Sequence, residues 1–127
     1  MPFPSLTILN LYRLTLGASE FTRAITALSK RVEREGHPGV LGYRFFVNGH
    51  EKTARAVVDY RDANAWIGHH DIAMAWPEMK ALHSVASLTD VTFLGDLTPE
   101  IQDWIDRSSL KARVHSGNRF AAGFVRS

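Results

Sequence analysis

Apolar and polar residues alternate with a period of two from Leu6 to Leu16. Ile8, Asn10, Tyr12, Leu14 and Leu16 share one face; Leu9, Leu11, Arg13 and Thr15 share the other. Both faces are largely apolar, which predicts a strand covered on both sides, and Gly17 ends it. The spacing then becomes helical. Phe21, Ile25, Leu28 and Val32 form a stripe with Arg23, Lys30, Arg31, Glu33 and Arg34 outside it, predicting a helix from Glu20 to about Glu35 capped by Ser19. Gly36-His37-Pro38-Gly39 stops that helix. Period two returns over Val40–Asn48, with Leu41, Tyr43, Phe45 and Val47 on one face. Asn48-Gly49 signals a reversal, so Ala54–Tyr60 is expected to pair back as a hairpin.

Asp62 is placed to cap a short helix carrying Trp66, Ile67 and His70. Trp76-Pro77 breaks it and opens a second helix with Met79, Leu82, His83 and Ala86 on one face. Leu88–Leu97 reads as a final core strand, with Val91, Phe93 and Leu97 opposite Leu94. Thr98-Pro99-Glu100 starts a terminal helix with Ile101, Trp104 and Ile105 on its apolar side. The order is a βαβ unit twice over: an α+β, ferredoxin-like βαββαβ antiparallel sheet with helices on one face. Leu9, Leu11, Tyr43, Phe45 and Val47 are expected on the other face. Covering them predicts a homodimer whose two sheets meet as an α+β barrel. Residues 1–107 form the domain. Residues 108–127 form a basic C-terminal tail, read as an arm or strand on the partner subunit or as an unordered end.

Composition narrows the function classes. A chain of 127 residues with 45% hydrophobic and 22% charged residues fits one globular domain. The absence of cysteine excludes disulfides, thiolate metal sites and a cysteine nucleophile. Lys111, Arg113, Arg119 and Arg126 concentrate positive charge in the tail without forming a basic stripe, so no nucleic-acid partner is expected. The N-terminal run lacks a basic n-region and is broken by Asn10, Tyr12 and Arg13, and no apolar run reaches membrane-spanning length. The expectation is a cytoplasmic protein with no membrane partner. No P-loop, dinucleotide-binding glycine pattern or G-x-S-x-G elbow is present.

Candidate chemistry gathers in Tyr60–His83. Trp66, His69 and His70 stand at i, i+3 and i+4 and share a helical face. Histidine is the natural base near neutral pH, so His69 and His70 are candidate bases. Asn10 and Tyr12, two residues apart on one strand face, are candidate donors. Trp66, Trp76 and His83 are candidate substrate-binding residues, although tryptophans at such positions also serve as core or interface anchors. The consecutive His69-His70-Asp71 spreads its ligands around a helix and no H-x₃-H occurs, so no metal site is expected.

The element order, Tyr60 followed nine residues later by His69, and the closing strand Thr89–Leu97 (TDVTFLGDL) together resemble the antibiotic-biosynthesis-monooxygenase-like dimeric α+β barrels. The resemblance covers roughly Leu6 to Leu97. It implies a monooxygenase-like protein that works without a cofactor on a small aromatic or polyketide-like substrate. The alternative is a non-catalytic dimer of the same fold that binds a small hydrophobic ligand. The family's haem-degrading branch gives a third reading. Its Asn, Trp and His correspond loosely to Asn10 or Tyr12, Trp66 and His83. In strict register they fall on Tyr12, His69 and Met79.

Overall fold

A computed structural model describes residues 4–126. The elements run β1 (Leu6–Leu14), α1 (Ala18–Glu35), β2 (Val40–Asn48), β3 (Thr53–Tyr60), α2 (Ala63–Ala73), α3 (Pro77–Val85), β4 (Ala86–Leu94), α4 (Pro99–Arg107) and β5 (Arg113–Asn118). The sheet order is β2-β3-β1-β4-β5. β1 lies antiparallel between β3 and β4, β2 is antiparallel to β3, and β5 is parallel to β4. The expected α+β, ferredoxin-like sheet is therefore present. Its fifth strand, drawn from the C-terminal segment, makes it mixed.

Local sequence explains most boundaries. Asp62 caps α2 by accepting from Ala65 N at 2.9 Å, and Thr98 caps α4 by accepting from Ile101 N at 3.3 Å. Pro77 sits in the first turn of α3, where its missing N–H costs no helical bond. α1 starts at Ala18 rather than Glu20. Gly17 takes the cap position without a side-chain hydrogen bond, so Ser19 is already inside the helix. Asp59 of β3 accepts from the Thr7 hydroxyl of β1 at 2.7 Å.

The core sits between the inner sheet face and the helices. Leu6, Ile8, Tyr12 and Leu14 of β1 meet Phe21, Ile25, Leu28 and Val32 of α1, all buried. Burying such side chains stabilises the fold by roughly 1.5–3 kcal/mol each. Tyr43, Phe45 and Val47 correct the expected face. They pair with Val58, Ala56 and Ala54, whose side chains are buried inward, so they lie on the helix side of the sheet. Strand parity fixed them together, and only cross-strand register settled which side they took. The outer face still carries apolar groups at Leu9, Leu11, Val57, Phe46 and Leu94, with Phe46 56% exposed.

A β-bulge lies between Leu11 and Tyr12 on one side and Asp90 and Leu88 on the other, leaving Thr89 as the extra residue. The Thr89 hydroxyl donates to the Leu11 carbonyl at 3.1 Å and fixes it. Bulges re-aim side chains beside functional sites. This one keeps Leu88 and Val91 both on the inner face, flanking Tyr12 and Asn10.

Candidate active site

Between the inner face and α2, α3 and α4 lies a cavity of about 670 Å³, within the roughly 300–1,000 Å³ of small-molecule sites. α1 contributes nothing to its lining. The floor is Asn10 and Tyr12 of β1 with Tyr43 and Tyr60 of the hairpin. α2 supplies Trp66, His69 and His70, and α3 supplies Met79, Leu82 and His83. The cavity therefore unites both candidate donors, both candidate bases, Trp66 and His83. Trp76 is elsewhere: the Arg31 guanidinium lies over its ring at 4.2 Å, and Arg31 also bonds Glu78 at 2.9 Å. Its place is on the α1–α3 seam, as a packing residue.

Two contacts set the position of α2. At Gly68 a Cβ would collide with the His37 ring, so only glycine lets the loop after α1 press against this helix. His37 Nδ1 in turn accepts from Gly39 N at 2.9 Å. On the other side, Trp104 Nε1 donates to Asp71 Oδ1 at 2.8 Å, tying α4 to α2. His70 stacks on Trp66 at 3.9 Å, and Trp104 meets both rings edge-on.

The polar groups in the cavity wall are desolvated. His69, 3% exposed, is the one buried polar residue among those described. Burial first, then repulsion from His70 and His37, lowers its pKa to about 3. His70 is lowered to about 4 by burial, partly opposed by its bond to the Trp66 carbonyl and by Asp71. Both are neutral near pH 7. A carbonyl only accepts, so His70 Nδ1, 2.7 Å from Trp66 O, carries the proton and Nε2 holds the lone pair. Burial pushes Tyr12 up to about 12, opposed by its bond from Asn10, and raises Tyr43 and Tyr60 as well, so these hydroxyls stay protonated. His83, at the exposed edge, is lowered by partial desolvation.

Asn10 Nδ2 donates to Tyr12 Oη at 3.4 Å, which leaves the Tyr12 O–H free to donate elsewhere. Asn10 Oδ1 and His69 Nδ1 are buried in the wall without a hydrogen-bond partner. Such atoms cost about 1–3 kcal/mol each, and functional sites are where that cost is tolerated. Among the described residues no group of three His, Cys, Asp or Glu side chains is disposed to hold a metal ion. The haem-degrading pattern does not fit. Its ligand register falls on buried Met79, and Trp66 is packed among His70, Phe93 and Trp104.

Trp104, Ser108, Leu110 and the cations Arg107 and Lys111 also line the cavity, and the sequence reading missed them. Their signal was faint: an amphipathic helix followed by a short polar turn looks like any exposed C-terminal connection.

No family model matches the sequence, and no curated protein matches it. Solved structures do. MupZ from Pseudomonas fluorescens superposes with a TM-score of 0.66 at 18% identity, over 95% of this chain and 93% of its own. SnoaB from Streptomyces nogalater, a cofactor-independent oxygenase, gives 0.58 at 14% identity, over 76% of this chain and 96% of its own. A candidate antibiotic biosynthesis monooxygenase from Caulobacter crescentus gives 0.59 at 16%, over 76% and 94%. The fold is that of the antibiotic biosynthesis monooxygenase-like proteins, a likeness of architecture at these identities. The MupZ match is too extensive to leave out the whole C-terminal segment.

Proposed function

We propose that the protein is a cofactor-independent, monooxygenase-like enzyme acting on a small hydroxylated aromatic or polyketide-like molecule held in this cavity. The observation that carries the reading is the fixed His70 tautomer beside a floor of protonated hydroxyls and the unpartnered Asn10 Oδ1 and His69 Nδ1. His70 Nε2 takes a proton from the substrate. Its low basicity reflects desolvation of the imidazolium, and an anion formed beside it offsets that penalty. The Tyr12 hydroxyl, with the Asn10 amide reorienting, donates to the oxygen where charge develops. The aromatic walls exclude water. The substrate anion then passes an electron to dioxygen, and the radical pair joins as a peroxide anion that takes the proton back from His70 Nε2 to give a hydroperoxide. Loss of water leaves a carbonyl, so each CH₂ oxidised consumes one O₂ and releases one H₂O.

The test is a ligand-observed NMR screen of hydroxylated aromatics followed by oxygen-electrode assays. Binding that perturbs Trp66 and an oxygen uptake lost in His69→Ala/His70→Ala support the reading; unchanged uptake in that double variant overturns the assignment. The depressed basicity of both histidines favours a second reading, a non-catalytic ligand-binding dimer, which predicts binding with no oxygen uptake.

A homodimer belongs to the same proposal, with the cytoplasm as its setting. The outer sheet face, carrying Leu9, Phe46 and Leu94 at 37–56% exposure, is the surface a second copy would cover. Light scattering that finds a monomer at micromolar concentration would remove this part. Among the described residues no helix is long and apolar enough to cross a membrane.

A further inference from the structure

The cavity rim carries charge of one sign. Arg107 at the end of α4 and Lys111 in the connection to β5 both line it, and no aspartate or glutamate does. Neither cation forms an ion pair; those among the described residues lie elsewhere. Arg107 Nε donates to the Asp103 carbonyl at 3.2 Å, which leaves its terminal nitrogens free. Two of the carboxylates on α4 and α2 have donors of their own: Asp106 accepts from Gln102 at 2.9 Å and Asp71 from Trp104 at 2.8 Å.

The turn between the two cations is ordered. Ser108 Oγ donates to the Ile105 carbonyl at 2.6 Å and accepts from Leu110 N at 3.1 Å. β5 then anchors the segment, with Arg113 and His115 both on Asp90. A favourable interaction with the C-terminus of α4 accounts for Arg107, and it leaves Lys111 unexplained.

Building on the small-molecule reading of this cavity, we infer that its ligand is an amphiphilic organic acid. The apolar or aromatic body lies against the tyrosine floor, and a carboxylate sits at the rim between Arg107 and Lys111. The guanidinium fork suits a carboxylate in two-point contact, and the ammonium adds a point charge. Both cations are exposed, so the preference is moderate and weakens with salt.

The test is calorimetric titration of the full chain with 6-hydroxy-2-naphthoate and with its methyl ester. At low ionic strength the acid binds about tenfold tighter than the ester, in keeping with two partly screened ion pairs. The gap narrows in 0.5 M salt and closes in Arg107→Gln/Lys111→Gln. Equal binding of acid and ester, or a gap that survives in the double variant, overturns the carboxylate site and leaves the cavity reading standing. Binding of neither probe overturns both.

Discussion

α1 and α2 lie on the same face of one sheet and do opposite things. α1 presents Phe21, Ile25, Leu28 and Val32 as an unbroken stripe, all buried, and seals its end of the sheet. α2 has no such stripe. It buries Ala65, Trp66, His69 and Ala73, mixing small, aromatic and ionisable side chains that cannot mesh as closely. The cavity opens on the α2 side and is lined by nothing from α1. A clean helical stripe produced a closed core here; a stripe interrupted by histidine and small residues left room for a ligand. Where a helix pattern degrades without the helix being lost, the site is the place to look.

That contrast can be broken experimentally, starting with the largest effect. His70→Ala at the open end is expected to lower oxygen uptake with a bound hydroxylated aromatic by about 10²–10⁴-fold while leaving the circular dichroism spectrum unchanged. Leu28→Ala at the sealed end should cost about 2–5 kcal/mol in urea denaturation, with probe affinity of the folded protein within about twofold of the parent. A tenfold loss of affinity in Leu28→Ala would show that the two ends are mechanically coupled.

Acid should act through the open end first. His69 and His70 have folded-state pKa values of about 3 and about 4, below the 6.5 of an unperturbed histidine. Between those values the unfolded chain binds more protons than the folded one. Their stabilising contribution is therefore full above pH 6.5 and is lost as pH falls towards the folded values. A melting scan from pH 7 to 4.5 should show falling stability, of a few kcal/mol in total, and His69→Gln/His70→Gln should flatten it. Asp90 does not confuse the scan. Its bonds from Arg113, His115 and Thr89 hold its carboxyl well below the usual carboxylate range, so its contribution is lost only below about pH 4. The smallest effect is at the α2–α4 contact. Asp71→Ala removes the acceptor of Trp104 and should cost about 1 kcal/mol in thermal denaturation, with faster dissociation of bound probe by stopped-flow fluorescence.

Much of this was legible in the residues, for identifiable reasons. The α1 stripe, the Asn48-Gly49 reversal, the Asp62 and Thr98 caps and Pro77 are local signals, and each is realised within a residue or two. Asn10 and Tyr12 share a face because strand parity demands it. His69 and His70 are adjacent, and both reach the cavity because α2 is flanked on two sides, by the sheet below and by α4 beside it. Trp76 misled because an aromatic next to a helix break has no intrinsic address. Its place was set by Arg31, 45 residues earlier in the chain.

The sequence by itself determined the order and type of the first eight elements, the caps that bound several of them, and the pool of Asn, Tyr, His and Trp from which a site is drawn. These depend on interactions within a few residues of the chain. The tertiary structure alone decided which sheet face Tyr43 and Phe45 occupy, that Arg113–Asn118 adds a parallel strand to its own sheet, and that Arg107 and Lys111 line the same cavity as Tyr12. Those outcomes rest on cross-strand register and on contacts between residues far apart in the chain, and no local period encodes them.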